Sequence, residues 1–231
     1  MKNNPDSVGK QLLITIDGPA GAGKTTVSRM LSDRLGYKYI DTGALYRGVA
    51  WEAKKAGISH GDDTGLEKLC GILKLEFIRK NGELHLFSNG SDVNGDIRRP
   101  EISMLASAVS ARPVVRKYLL SLQRELGKEK GAVFEGRDMG TVVFPAAEIK
   151  FFLNASVKTR ALRRFKELSV RKDSPSLEDI ERDIRIRDEN DSTRKLAPLK
   201  PAEDAIEIDS TDIDAESVVS LMLSHVQKHN K

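Results

Sequence analysis

One cysteine, Cys70, stands among 231 residues. No disulfide can close within the chain, and no zinc site can be assembled from thiolates. The thiol reads as a buried or half-buried structural residue in a reducing compartment. Aromatic side chains make up only 5% of the chain, which argues against a surface built to stack on exposed bases. No run approaches the roughly 20 apolar residues that a membrane span needs, so no membrane partner is expected. The opening stretch "MKNNPDSVGKQ" lacks the apolar core of a signal peptide, and a cytoplasmic location is expected. Charge of one sign is also scarce: 38 basic against 34 acidic side chains leave a net +4. The pI near 9.1 leans only weakly toward polyanionic or phosphorylated partners, and no nucleic-acid partner is expected. Two signatures are missing as well. There is no N-K-x-D to read guanine, and no apolar run ends in Asp-Glu as in a typical Walker B strand.

What remains is a globular composition, 39% hydrophobic and 31% charged, long enough for one large domain or a core carrying insertions. "LLITID" (12–17) is short, apolar and β-branched, and Gly-Pro bounds it, so it reads as a buried strand. Helical spacing follows from Lys24 to Leu35, then a strand at 37–40, then helices from Gly43 to Ala56 and Thr64 to Leu73. The stretch 74–95 alternates apolar and polar residues and carries Asn-Gly at 81–82 and 89–90, the strongest short-range hairpin signal. It predicts a small antiparallel insertion. Helices are expected at 100–111, 113–127, 156–170, 176–190 and 214–228, and strands at 132–136, 149–154 and 205–209. Strands alternating with helices over most of the chain predict an α/β fold around a mainly parallel sheet.

"GPAGAGKT", Gly18 to Thr25, sits between the first strand and the first helix and fits G-x-x-x-x-G-K-[ST]. Glycines let successive backbone N–H groups curl around one hollow that accepts phosphate oxygens. The helix starting there adds its N-terminal partial charge. Lys24 can reach β- and γ-phosphates, and the Thr25 hydroxyl can ligate Mg²⁺. A phosphate cradle names no reaction. With the guanine and Walker B signatures missing, it points to a small phosphotransferase, or to a hydrolase whose acid comes from an atypical place. Asp17, just before the loop, either orders backbone or approaches Mg²⁺. Glu135 reads as structural.

Bringing a phosphorylated acceptor toward an anionic ATP terminus requires bridging cations, and bidentate arginine suits that task. The candidates are Arg47, Arg116, Arg137, Arg187 and Arg194, with a second cluster at Arg160, Arg163 and Arg164. "LYR", "EGRD", "RIRD" and "STR" stand out because they abut strand ends and Gly or Asp turns, or crowd charges together. Arg187 and Arg194 lie seven positions apart and would share one face of a continuous helix. Tyr46 and Trp51 read as packing residues, and His60, His85, His225 and His229 as surface or packing residues.

"TIDGPAGAGKTT", "DTGALYRG", "EGRDMGTVVFP" and "LAPLKPA" occur in this order, and at these spacings the chain resembles the bacterial cytidylate kinases from about residue 12 to 228. The resemblance implies the P-loop nucleoside monophosphate kinase fold, a central parallel sheet flanked by helices with a small antiparallel β insertion and a helical lid. Residues 1–10 read as a disordered lead, and the resemblance implies a core domain at 11–40, 112–155 and 196–231, a CMP-binding domain at 41–111 with the insertion at about 74–95, and a lid at 156–195. It implies transfer of the ATP γ-phosphoryl group to CMP or dCMP with Mg²⁺ as cofactor; nothing in the residues demands a dimer, and a monomer is expected. ATP would be held by Gly18, Pro19, Ala20, Gly21, Ala22, Gly23, Lys24, Thr25 and Thr26, with Arg160 and Arg164 closing from the lid. Thr42 and Asp138 would meet the cytosine edge, with Arg116 and Arg194 beside the base. Arg47 and Arg137 would clamp the acceptor phosphate. Ser107, Arg187 and Asp191 would lie near the sugar, with Arg187 also reaching phosphate. Thr42 stands where some relatives carry serine, which keeps the hydroxyl and adds a methyl group.

The chemistry asks for no general base, because the nucleophile is a phosphate oxygen already ionised near neutral pH. Lys24, Arg47, Arg137 and Arg187 would act by positioning and charge neutralisation. The residues alone leave room for another small acceptor, UMP, AMP or shikimate, and for a non-catalytic ATP-binding regulatory protein.

Overall fold

The computed structural model describes residues 11–80, 82–168 and 175–229. The expected disordered lead at 1–10, Asn81 of the first Asn-Gly pair and the end of the helix expected to run to 170 lie outside the described residues.

Five strands form one parallel sheet in the order β2 (Lys38–Asp41), β6 (Ala132–Glu135), β1 (Leu13–Asp17), β7 (Ile149–Asn154), β8 (Ile206–Asp209). The central strand β1 is buried throughout, as a strand covered on both faces must be. On one side α1 (Lys24–Leu35) and α8 (Ala215–His229) cover it through Val27, Leu31, Val219 and Met222. The other side buries Leu13, Ile40 and Phe134 against Leu120 and Leu126 of α5 (Pro113–Leu126), and α5 shares a separate core with α2 (Thr42–Lys55), α3 (Asp63–Ile72) and α4 (Pro100–Val109). Gly36, at φ 66°, ends α1 by returning its amide to Asp33, the left-handed stop that glycine makes without strain. Asp41 opens α2 by accepting from the Ala44 amide at 3.1 Å.

The antiparallel insertion is a three-stranded sheet of β3 (Leu75–Lys80), β4 (Glu83–Ser88) and β5 (Ser91–Asp92). Asn89 and Gly90 both have positive φ between the paired Ser88 and Ser91, the primed turn expected of Asn-Gly. Its apolar face rests on α2 at Gly48, where a Cβ would come within 2.8 Å of Leu86. The helices α6 (Val157–Leu168) and α7 (Leu177–Thr193) pack on each other around Ala161, Ile180 and Ile184.

Most expected elements are present within a residue or two. Two differ. After β6 the chain makes a π-helical turn over Met139–Val143, which no periodicity announced. The α7 helix ends at Thr193, and Arg194 is extended at φ −59°, ψ 140°, so Arg187 and Arg194 do not share a helix face. The chain turns down before Pro198: Arg194 Nε donates to the Ala197 carbonyl at 2.6 Å and the Leu199 amide to the Asp191 carbonyl at 2.8 Å. Cys70 is buried in the α2–α3–α5 core, and burial pushes its thiol up to about 11, as a structural thiol should be. His85 meets Asp92 at 3.0 Å and His225 lies edge-on to Phe151, and neither belongs to the quoted motifs.

Candidate active site

The loop after β1 turns through Gly18, Gly21 and Gly23, all at positive φ. Gly18 and Pro19 form its root. A Cβ on Gly18 would collide with the Leu153 carbonyl oxygen, so the loop leaves the sheet flush against β7. Ala20 to Thr26 line a cavity of about 860 Å³ whose far wall is built by the α6–α7 hairpin. Lys24 lies at its floor, 4% exposed, with Nζ donating to the Pro19 carbonyl at 2.7 Å. Burial, and then the nearby Arg137, lower its pKa to about 7.

The three arginines expected in the lid divide. Arg164 lines the cavity. Arg160 does not: it is buried behind the loop, donating to the Ala155 and Ala20 carbonyls at 2.8 and 3.2 Å and pairing with Asp188 at 2.7 Å. Arg163 lines the cavity and also holds the loop, donating to the Ala22 carbonyl and to Ser210. The loop and α6 pack closely here, since a Cβ on Gly21 would come within 3.1 Å of the Arg160 Cβ, and the Arg160 guanidinium is committed to the loop and to Asp188.

A second, smaller cavity of about 110 Å³ adjoins the first. Thr42, Arg47, Ser107, Arg116, Arg137, Asp138, Arg187, Asp191 and Arg194 all line it. They arrive from α2, α4, α5, the turn after β6, α7 and the segment beyond it. The Thr42 hydroxyl donates to the Glu135 carbonyl at 2.6 Å. Asp138, nearly fully buried, accepts from Arg116, with Arg194 3.7 Å from its other oxygen. Burial raises its pKa, and the two guanidinium groups oppose that rise. Tyr46 contributes both to the α2 core and to this cavity, with the Arg116 guanidinium over its ring. Trp51 packs in the core as expected.

Arg47, Arg137 and Arg187 line both cavities. Arg137 is held by Asp191 at 3.1 Å and by its neighbour's carbonyl. Arg187 is half-buried, and desolvation together with Arg137 lowers its pKa to about 10. The Nε groups of Arg47 and Arg187 are buried without an acceptor among the described residues. Buried cationic donors left unsatisfied are costly, and anionic oxygen between the two cavities would remove that cost.

Sequence reasoning missed Glu135. It closes β6 beside β1, accepts from the Thr25 hydroxyl at 3.0 Å and from Tyr39 at 2.6 Å, and burial raises its pKa. The signal was available in "AVFE", an acid that ends an apolar strand, though not an Asp-Glu pair. Among the described residues no cluster of three or more His, Cys, Asp or Glu forms a metal cage. The Thr25 hydroxyl beside the Glu135 carboxylate supplies hard oxygen donors, which fit Mg²⁺ completing its shell with phosphate oxygens and waters.

A family model described as cytidylate kinase matches residues 14–228. The chain belongs to the cytidylate kinase family. The cytidylate kinase of Geobacter sulfurreducens is 49% identical over 220 residues, covering 95% of this chain and 94% of that protein. The cytidylate kinase of Pasteurella multocida is 43% identical over 219 residues, covering 95% and 96%. Among solved structures, the shikimate kinase of Bacteroides thetaiotaomicron superposes with a TM-score of 0.50 at 12% identity, covering 94% of this chain and 99% of that one. At that identity the likeness is one of fold. It agrees with the five-stranded parallel sheet and the glycine-rich loop. The nine side chains that the resemblance assigned to the acceptor all line the second cavity.

Proposed function

We infer that the protein transfers the γ-phosphoryl group of ATP to CMP or dCMP, giving ADP and CDP or dCDP. The observation that carries this reading is the sharing of Arg47, Arg137 and Arg187 by both cavities. A donor triphosphate and an acceptor monophosphate repel, and guanidinium groups placed between them lower that repulsion where the transferred group passes. Lys24 meets the donor phosphates from the loop side. No side chain has to remove a proton, because the attacking phosphate oxygen is already ionised. Bound Mg²⁺ would neutralise charge on the donor phosphates, with the Thr25 hydroxyl as ligand and Glu135 orienting that hydroxyl.

The polarity of the small cavity supports a cytosine ring. The Thr42 proton is committed to the Glu135 carbonyl, so its oxygen offers lone pairs to the cavity. The Asp138 carboxylate is also an acceptor. Two acceptors suit the 4-amino group of cytosine and reject the 4-carbonyl of uracil, which would leave buried lone pairs facing each other. Arg116 and Arg194 hold Asp138 in place. Asp191 aligns Arg137, and Ser107 completes the wall on which the sugar would rest. Arg164 closes over ATP from α6, while Arg160 fixes the loop that cradles it. No helix among the described residues is long and apolar enough to cross a membrane. On this reading the protein serves pyrimidine nucleotide metabolism as a cytoplasmic monomer.

The test is ADP release across CMP, dCMP, UMP, AMP, GMP and shikimate. CMP and dCMP should lead the panel, with UMP well behind. Faster turnover of AMP or shikimate, or ATP binding without acceptor-stimulated ADP release, would reject the reading.

A further inference from the structure

Asp17 ends β1 at the root of the phosphate loop and is 4% exposed. It lines neither cavity. Both of its oxygens are engaged across 122 and 123 positions of sequence: Oδ1 accepts from the Met139 amide at 2.9 Å, Oδ2 from the Gly140 amide at 2.8 Å. Among the described residues no cation is hydrogen-bonded to it, and Lys24 acts on it only through space, so its two oxygens serve two backbone donors. An ordinary packing position would not call for that, since burying a carboxylate without a bonded cation is unfavourable.

What those two donors belong to gives the carboxylate its purpose. The Met139 amide shares a peptide plane with the Asp138 carbonyl. That carbonyl accepts from the Val142 and Val143 amides at 2.9 and 3.2 Å as the π-helical turn closes on itself. Asp17 therefore fixes one side of the Asp138 peptide and the turn fixes the other. Gly140 is closely packed, because a Cβ there would lie 3.1 Å from Thr15 Oγ1 and 3.2 Å from Lys150 Cδ and would displace the turn or these neighbours by a few tenths of an ångström. Arg137 and Asp138, which point into the small cavity, directly precede the anchored pair.

We propose that Asp17 is a positioning residue for the acceptor: it anchors Met139 and Gly140 so that Asp138 and Arg137 are aimed at the bound monophosphate. The proposal rests on the small cavity being the CMP site. It also makes the donor loop and the acceptor turn share one anchor, since the same residue begins the loop and holds the turn. Burial raises the Asp17 pKa to about 6, opposed by the two amides, so near neutral pH the ionised form is present and both oxygens accept.

The experiment compares Asp17→Asn and Gly140→Ala with the wild type, measuring kcat and KM for CMP, UMP and ATP. Asparagine can accept from one amide only and turns its own N–H toward the other. Gly140→Ala shifts the same turn while leaving the carboxylate. Each should raise the CMP KM about tenfold and shrink the CMP-over-UMP preference by a similar factor, with the ATP KM within about twofold. An unchanged CMP KM and preference would overturn the proposal, as would equal rises for CMP and ATP with the preference intact. If Asp17→Asn does not fold, the same split in Gly140→Ala decides. A wild type that takes UMP as readily as CMP would remove the acceptor reading and this proposal together. A selective wild type with unaffected variants removes this proposal alone.

Discussion

Arg47 reaches back along α2 to Asp41, Nη2 to carboxylate oxygen at 2.6 Å, while Asp41 also caps that helix through the Ala44 amide. The helix cap thus presets the guanidinium, and Nε remains for an incoming phosphate. Arg47→Ala should lower kcat/KM for CMP about 10- to 100-fold, the range expected for charge-assisted hydrogen bonds. Its ATP KM should stay within about twofold. Steady-state kinetics with each substrate varied in turn would check this. Equal loss of ATP binding would put Arg47 on the donor side.

Thr42→Val keeps the shape and removes the hydroxyl. It strands the Glu135 carbonyl and takes one acceptor from the small cavity. The CMP-over-UMP preference should fall by about 1–3 kcal/mol, roughly 5- to 150-fold. Thr42→Ser should retain most of it. Competition assays with both acceptors present would read the ratio directly.

Arg160 and Arg164 sit four residues apart and should behave differently. Arg160→Ala removes a buried partner from Asp188 and two carbonyls. It should lower stability by about 3 kcal/mol and raise the ATP KM by loosening the loop. Arg164 is partly exposed on the cavity wall. Its alanine variant should change stability by no more than about 0.5 kcal/mol while still raising the ATP KM. Urea denaturation beside ATP kinetics separates the two roles.

The buried ionisable groups predict pH effects of opposite sign. Lys24, lowered to about 7, is mostly neutral in the free protein above that pH. Triphosphate oxygens favour its charged form, so ATP binding near pH 8 should take up a proton. Calorimetry in buffers of differing ionisation heat measures that uptake. Asp17 is raised to about 6 from 3.8. Between those values the folded chain holds a proton that the unfolded chain has lost, so this group's contribution to stability falls as pH rises through the window. The change is about 3 kcal/mol at about 1.4 kcal/mol per unit. Asp17→Asn should flatten that part of a pH–stability curve measured by urea denaturation.

The architecture was legible because its signals are local. Glycines at the loop, β-branched runs at β1 and β7, and Asn-Gly at 89–90 each determine their neighbours' backbone within a few residues. The five arginines of the small cavity were already candidates from their charge and their places at strand ends and turns, whereas Thr42, Ser107, Asp138 and Asp191 were assigned only through the resemblance. Charge alone does not separate such arginines from solvent-facing ones such as the exposed Arg182 and Arg185. The roles of Asp17, Glu135 and Arg160 stayed hidden because their partners lie far away in sequence, at Met139, Thr25 and Ala20. Arg194 misled because helix spacing was extended one residue beyond the helix, although Pro198 lay close downstream.

The strand order β2-β6-β1 has a consequence for how such a chain can diversify. On the proposed reading the loop after β1 handles the energy-rich phosphate, and the ends of β2 and β6 carry residues that choose what receives it. Neighbouring strands stand about 4.8 Å apart whatever side chains they bear, so the sheet works as a ruler between the two halves of the reaction. Replacing the segments that follow β2 and β6 can alter the recipient without recalibrating the transfer. Specificity and chemistry are written on adjacent rungs of the same ladder.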